Sequence, residues 1–169
     1  IPEVTLMALL VIVFIADFST AQRFVMPNGD NKTSSPRAWF NPLVCLLMAA
    51  HLVINIFPVT ASTAFGGMYY TTPAIGVVKT ILALGALIVL IQSREWISRP
   101  DTQFKEGEFY MLVISTLLGM NMMVSANHFL MFFLGLEMAS VPMACLVGLD
   151  KYRHNSAEAA AKFILTATF

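Results

Sequence analysis

Apolar residues run through this chain in long blocks, separated by stretches where charges and turn formers collect. Ile1–Phe18 is the first block, opened by Glu3 and closed by Asp17. Gln22–Arg37 is polar, with Pro27-Asn28-Gly29-Asp30 as its turn signal. Ala38–Phe57 is the second block, with Pro58 just beyond, and Val59–Thr72 is an uncharged loop containing Gly66-Gly67. Pro73–Ile91 is the third block; its proline falls in the first turn of a helix, where a missing N–H costs nothing. Gln92–Gly107 carries Arg94, Glu95, Arg99, Asp101, Lys105 and Glu106 and reads as the most charged loop. Glu108–Val124 is the fourth block, and Ser125-Ala126-Asn127 leads at once into the fifth, which ends at Asp150. So short a connection makes blocks four and five antiparallel neighbours, a helical hairpin. After a charged loop over 150–155, Ser156 is expected to cap a sixth block, with Glu158 in its first turn.

Five of these blocks are long enough to cross a bilayer as helices. The sixth is not: the fourteen residues from Ser156 to Phe169 make roughly 21 Å of helix against a ~30 Å hydrocarbon core. The expected fold is therefore all-α, a polytopic transmembrane helix bundle of five full spans plus the start of a sixth. The start at Ile1 rather than Met, and the stop inside an apolar run, point to a single membrane domain over 1–169 that is part of a longer chain.

Composition strengthens this reading. Of 169 residues, 57% are hydrophobic and 12% charged, and the mean hydropathy is +0.73; soluble domains carry roughly twice that charged share. The zero formal net charge argues against nucleic acid as a partner. Cys45 and Cys145 both fall in apolar runs, so they read as small buried hydrophobes and imply neither a disulfide nor a metal site. A signal peptide would want a positive N-terminal region, and Glu3 has the wrong sign. No phosphate-binding glycine loop, Cys/His ligand spacing, nucleophile elbow or internal repeat is visible.

The charges inside the blocks carry the candidate chemistry. Glu137 lies about ten residues, or roughly 15 Å, from the Asn127 end of the fifth block, close to the bilayer midplane. A carboxylate there must pair, meet water or take up a proton, which makes it a functional-site hypothesis by default; a protonated glutamate hydrogen-bonded to a neighbouring helix is the alternative. Pro142 cannot donate to the carbonyl of Met138, which frees an acceptor and permits a kink beside Glu137. Lys79 lies about two turns inside the third block, where it either snorkels to the interface or faces a polar interior. His51 and Asn55 are four apart and share a helix face, which favours interhelical hydrogen bonds and leaves a proton-relay role open. Lys162 lies about 9 Å into the sixth helix, four residues after Glu158; it either snorkels back to the interface or points inward, the second being the expectation. Opposite charges along a bundle can pass protons, because burial and partner distance shift their pKa values; a static ion network is the other outcome.

Basic loop residues alternate by side. Arg23, Lys32 and Arg37 follow block one, Arg94, Arg99 and Lys105 follow block three, and Lys151 and Arg153 follow block five. The loops after blocks two and four have none. By the positive-inside rule, Ile1 is expected outside.

Phe132–Ser140 and Ser156–Phe163, with several shorter segments in the same order, resemble the antiporter-like subunits of complex I, the proton-pumping NADH:quinone oxidoreductase. Phe132-Phe133-Leu134-Gly135-Leu136-Glu137-Met138-Ala139-Ser140 is similar to the family's Y/F-L-G-L-E-L-x-S segment. Ser156-Ala157-Glu158-Ala159-Ala160-Ala161-Lys162-Phe163 is similar to its S-x-E-A-A-x-K-Y/F segment. Pro2-Glu3, Asp17, Phe65-Gly66-Gly67-Met68, Gly107-Glu108-Phe109-Tyr110 and Met123-Val124-Ser125-Ala126-Asn127 also match. Thr72 and Gly76 depart from an Asp and an Arg that are common in the family. The resemblance implies the N-terminal part of a subunit of about fourteen helices with its N-terminus outside. It implies proton transfer through Glu137 and Lys162, with Lys79 and Glu158 as lesser candidates; His51 matches no segment of the family and stays a candidate only through its place on the face it shares with Asn55. It also implies no metal and no redox centre in this chain; NADH, FMN, Fe–S clusters and quinone would lie in other subunits. The implied partners are the lipid bilayer and other membrane-arm subunits, and the location is a bacterial cell membrane. A multisubunit Na⁺/H⁺ antiporter or membrane-bound hydrogenase subunit shares the same Glu and Lys logic, and a non-transporting scaffold is the third reading.

Overall fold

The computed structural model of the chain describes residues 2–21, 39–57, 60–97, 105–150 and 154–168. The first two helices are α1 (Pro2–Ala21) and α2 (Phe40–Ile56), and a small hairpin follows, with strands β1 (Ser62–Ala64) and β2 (Tyr69–Thr71). Four more helices complete it: α3 (Pro73–Ile97), α4 (Glu106–Val124), α5 (Phe129–Val147) and α6 (His154–Thr168). Among the described residues, α1, α3, α4 and α5 are long and apolar enough to cross a membrane. The 17 residues of α2 make about 25 Å of helix and the 15 of α6 about 22 Å, both short of a ~30 Å core. The polar residues 22–37, the basic residues Arg99, Lys151 and Arg153, and Pro58 lie outside the described residues.

The helix starts follow local chemistry. Thr72 Oγ1 accepts the backbone N–H of Ile75 at 3.3 Å, with Pro73 in the first position of α3. His128 plays the same part for α5, its Nδ1 accepting from Leu130 N–H at 3.2 Å. Ser156 differs from expectation. It lies inside α6 rather than at its cap, and its hydroxyl instead donates to the Val147 carbonyl at the end of α5, 2.6 Å away. Glu158 accordingly falls beyond the first turn. α3 also runs past Ile91 to Ile97, carrying Arg94 and Glu95 into the helix, because nothing between 92 and 97 breaks it. Glu106 opens α4 and is buried, although it reads as a loop residue.

The hairpin replaces the uncharged loop expected over 59–72. Its turn uses three consecutive positive φ angles, at Phe65, Gly66 and Gly67, a backbone that glycine adopts without a Cβ penalty. It is held from outside as well as within. Tyr70 N–H donates to the Ser125 carbonyl at 2.9 Å, Asn127 N–H to Met68 O at 2.8 Å, and Asn127 Nδ2 to Gly67 O at 2.9 Å. The hairpin is thus clasped onto the α4–α5 turn and covers one end of the bundle.

The core is formed by one stripe from each of four helices: Leu6, Leu9 and Val13 of α1, Phe40, Val44 and Met48 of α2, Leu90 and Ile97 of α3, and Tyr110, Ile114 and Leu117 of α4. The remaining faces expose large apolar side chains, among them Phe14, Ile54, Ile81, Phe129 and Phe133, surfaces suited to lipid or to further helices. α4 and α5 pack backbone against backbone. A Cβ placed on Gly119 would lie 2.5 Å from the Ala139 nitrogen, and one on Gly135 2.7 Å from the Met123 nitrogen. The antiparallel pair expected from the short 125–127 connection is present, and small residues set its separation.

Candidate functional site

Glu137 sits in the middle of α5, one residue from the contact with Gly119. The two glycine contacts fix the register of the antiparallel pair, so residue 137 of α5 lies level with residue 121 of α4. Two residues, or about 200° of helical rotation, separate Glu137 from Gly135. Glu137 therefore lies on the face of α5 turned away from α4. It is half-buried, and its carboxyl makes no hydrogen bond or ion pair among the described residues. α5 continues unbroken through Pro142, whose missing donor leaves the Met138 carbonyl without its intrahelical partner.

Lys162 and Glu158 form an ion pair of 2.6 Å on α6, with side-chain exposures of 72% and 55%. The inward orientation expected of Lys162 is not seen in this chain; the pair occupies an open face. A fully water-exposed i, i+4 pair contributes only about 0.3–0.5 kcal/mol.

At the hairpin end the four core stripes change character. The buried stripe of α2 continues from Met48 to His51 and Asn55, that of α3 ends on Lys79, and that of α4 ends on Asn121 and Ser125. Lys79 is 1% exposed, and its Nζ donates to Glu3 Oε1 at 2.5 Å and to Tyr69 Oη at 2.9 Å. The ammonium also lies 5.1 Å from the centre of the Tyr69 ring, within cation–π range. Of the two outcomes open to Lys79, the structure takes the polar interior. The Tyr69 hydroxyl also faces the Glu3 carboxylate; desolvation first, and then that carboxylate, hold the phenol above its ordinary value, so it stays protonated.

His51 is 2% exposed and bonds through both ring nitrogens: Nδ1 to Thr5 Oγ1 at 2.8 Å and Nε2 to Asn55 Nδ2 at 2.9 Å. The Thr5 hydroxyl donates to the Pro2 carbonyl at 2.8 Å. Its single proton being used there, Thr5 Oγ1 must accept from Nδ1–H, and the amide of Asn55 must donate to Nε2. Every group is satisfied with His51 neutral. The shared face of His51 and Asn55 is as expected, and its partner helix is α1.

Two residues in this region are not satisfied. Both polar atoms of the Asn121 amide are buried without a partner, and Ser125 Oγ, although close to Tyr69, makes no hydrogen bond of acceptable geometry. The opposite end has its own polar group. Asn41 donates to Tyr110 Oη at 2.5 Å, and Tyr110 donates to Glu106 at 3.4 Å. The Asp17 carboxyl lies against Gly107, where any Cβ would collide with it. No group of three or more His, Cys, Asp or Glu that could hold a metal occurs among the described residues.

The structure thus joins Lys79 to Glu3 and His51 to Thr5, while no hydrogen bond or ion pair among the described residues links Glu137, the Lys162–Glu158 pair and the hairpin-end cluster to one another. Sequence reasoning placed Glu3 at the opening of a span and in a segment shared with the family, without a partner, and left Tyr69 in a loop. The available signal was a pair of opposite charges, Glu3 and Lys79, near the same end of two parallel helices.

Residues 126–169 match the family described as NADH:quinone oxidoreductase/Mrp antiporter, TM. A protein of Phocaeicola vulgatus named NADH-quinone oxidoreductase subunit N is 48% identical over 99% of this chain and 33% of its own length. This chain is a relative of NADH-quinone oxidoreductase subunit N. A second subunit N, from Azobacteroides pseudotrichonymphae, is 35% identical over 98% of the chain and 32% of its own length. A chain in a structure of respiratory complex I from Thermus thermophilus with bound aureothin superposes with a TM-score of 0.67 at 25% identity, covering 98% of this chain and 32% of that one. The resemblance read from the ordered segments is borne out, and the chain is that of a multi-pass membrane protein. It spans about a third of the length of the subunit N relatives.

Proposed function

We propose that this chain is the N-terminal part of a proton-translocating membrane-arm subunit of an NADH:quinone oxidoreductase in a bacterial cell membrane. It contributes five spans, α2 counted among them with 17 residues at the lower limit for a spanning helix, and the start of a sixth, with its N-terminus outside. NADH oxidation and quinone reduction take place in other subunits, which hold FMN, the Fe–S clusters and the quinone site, and this subunit couples their energy to proton transfer. Glu137 is the gating carboxylate and Lys162 relays or modulates, with Lys79, His51 and Glu158 in lesser roles.

The observation that carries this reading is the position of Glu137: mid-helix, half-buried, and turned away from α4 with no partner among the described residues. An ionised carboxylate at the centre of a bilayer costs about 2.5–3.5 kcal/mol or more. A basic partner or a bound proton removes that cost, and the open face of Glu137 is where either would meet it. A group whose proton affinity changes with the distance to a cation is the element a relay needs.

The test is Glu137→Gln in the full-length subunit, with quinone-coupled proton pumping measured in membranes and assembly followed by native gel. Loss of pumping in an assembled complex is the expected result. Full pumping with full assembly would leave packing as the role of Glu137 and favour a scaffold. A second reading, a cation/proton antiporter subunit, is supported by the family description, which names the Mrp antiporter beside the oxidoreductase. It predicts Na⁺-dependent proton exchange without NADH oxidation.

A further inference from the structure

The hairpin end of the bundle concentrates ionisable and polar groups that Glu137 and Lys162 do not reach. Four elements supply them: Glu3 and Thr5 from α1, His51 and Asn55 from α2, Lys79 from α3, and Asn121 and Ser125 from α4, with Tyr69 of β2 placed over them by the hairpin. The titratable members are Glu3, His51, Tyr69 and Lys79; α4 contributes only uncharged groups. A buried ion pair is a weak device for stability, since apolar residues of the same size serve as well or better. Its presence on an otherwise apolar core stripe calls for another reason.

Three features point to proton exchange. Lys79 is sealed at 1% exposure while Glu3 keeps 15%, so the carboxylate is the member that meets the surface. The Lys79 ammonium has three donors and two hydrogen-bond partners among the described residues. On α4, the Asn121 amide and the Ser125 hydroxyl, the latter close to Tyr69, are buried and unpartnered. Such groups in a native protein are met by internal water. The two lie four residues, or about 6 Å, apart along α4, and form a polar ladder that rises from the level of Glu137 to the Tyr69 hydroxyl.

We propose that Glu3, Lys79 and Tyr69 form a second proton-exchange site, opening to the hairpin side of the membrane and hydrated at Asn121 and Ser125. This rests on the proton-translocating reading above and adds a site to it. A proton arriving along Asn121 and Ser125 is taken by Tyr69 Oη as Tyr69 releases its own phenolic proton to the Glu3 carboxylate, which it faces. Glu3, neutral for that moment beside Lys79, gives the proton up to the hairpin side, and the ion pair with the Lys79 ammonium is restored. One proton has entered at Ser125 and one has left at Glu3, with no net change in the three side chains. His51, neutral and fully hydrogen-bonded, holds Thr5 and the first turn of α1 in place, and so positions Glu3.

The experiment uses the assembled complex with the full-length subunit, in inverted vesicles whose lumen corresponds to the hairpin side. Glu3→Gln with Lys79→Met replaces the ion pair by a neutral pair of similar size, a change that buried pairs tolerate. Protons moved per quinone reduced are measured against lumenal pH, for this double variant, Tyr69→Phe and Glu137→Gln. The proposal expects both hairpin-end variants to assemble, to move fewer protons per quinone, and to lose a step of the lumenal pH profile that the unaltered complex shows. An unaltered profile and ratio in both, with pumping lost in Glu137→Gln, overturns the second site and leaves the general reading standing. Unaltered pumping in all three overturns both. If the double variant does not assemble, Tyr69→Phe, which keeps the ion pair and removes one hydroxyl, decides on the same readout.

Discussion

Gly119→Ala tests whether the register of α4 against α5 controls Glu137. A Cβ at Gly119 would sit 2.5 Å from the Ala139 nitrogen and 2.6 Å from the Met138 carbonyl carbon. Both are backbone atoms, so no side chain can rotate away. Ordinary contact begins at 3.4 Å, and the helices must part by the difference, about 0.9 Å. Overpacking of this kind costs about 1–3 kcal/mol. The displaced segment begins one residue after Glu137, and a misplacement of about 1 Å can lower a positioned step 10²-fold. Gly85→Ala on α3 is the control. Its Cβ meets nothing within 4 Å in this chain, and replacing a helix-interior glycine by alanine stabilises by about 0.5–1 kcal/mol. The assay is thermal unfolding of the assembled complex together with proton pumping per quinone reduced. Gly119→Ala should lower the transition and reduce pumping by more than its loss of assembled complex explains, while Gly85→Ala should do neither. Equal behaviour of the two variants would refute the register argument.

Two further outcomes follow from the same structure. His51→Leu leaves the Thr5 hydroxyl and the Asn55 amide without their shared partner and should destabilise the complex by about 1–3 kcal/mol, read as a lower thermal transition; an unchanged transition would show that water replaces the imidazole without loss. Lys162→Ala removes one member of an exposed i, i+4 pair and should change stability by no more than about 0.5 kcal/mol, yet it should reduce pumping if the lysine relays protons. A large loss of stability would show that Lys162 is held by packing outside this chain.

Much of the architecture was legible in the order of residues. The apolar blocks located the helices, because a backbone in lipid must satisfy its own hydrogen bonds and only a helix does so within one segment. The three-residue link at 125–127 forced α4 and α5 together. The i, i+4 spacing put His51 and Asn55 on one face, and the depth of Glu137 in its block followed from helical rise alone. These are local properties, set by spacing along one segment.

The rest depended on residues far apart in sequence. Lys79 could snorkel or turn inward, and its partner Glu3 lies 76 residues away, so no local rule chooses between the two. The hairpin over 62–71 is steadied by backbone bonds to Ser125 and Asn127, which exist only once α4 and α5 have packed. Tyr69 reaches Lys79 for the same reason. Ser156 has the composition of a cap, but the Val147 carbonyl on α5 competes for its hydroxyl and takes it. A helix is specified by contacts three and four residues apart. A buried charge is specified by whichever helix brings the opposite charge or an oxygen to it, and that is a property of the assembled bundle.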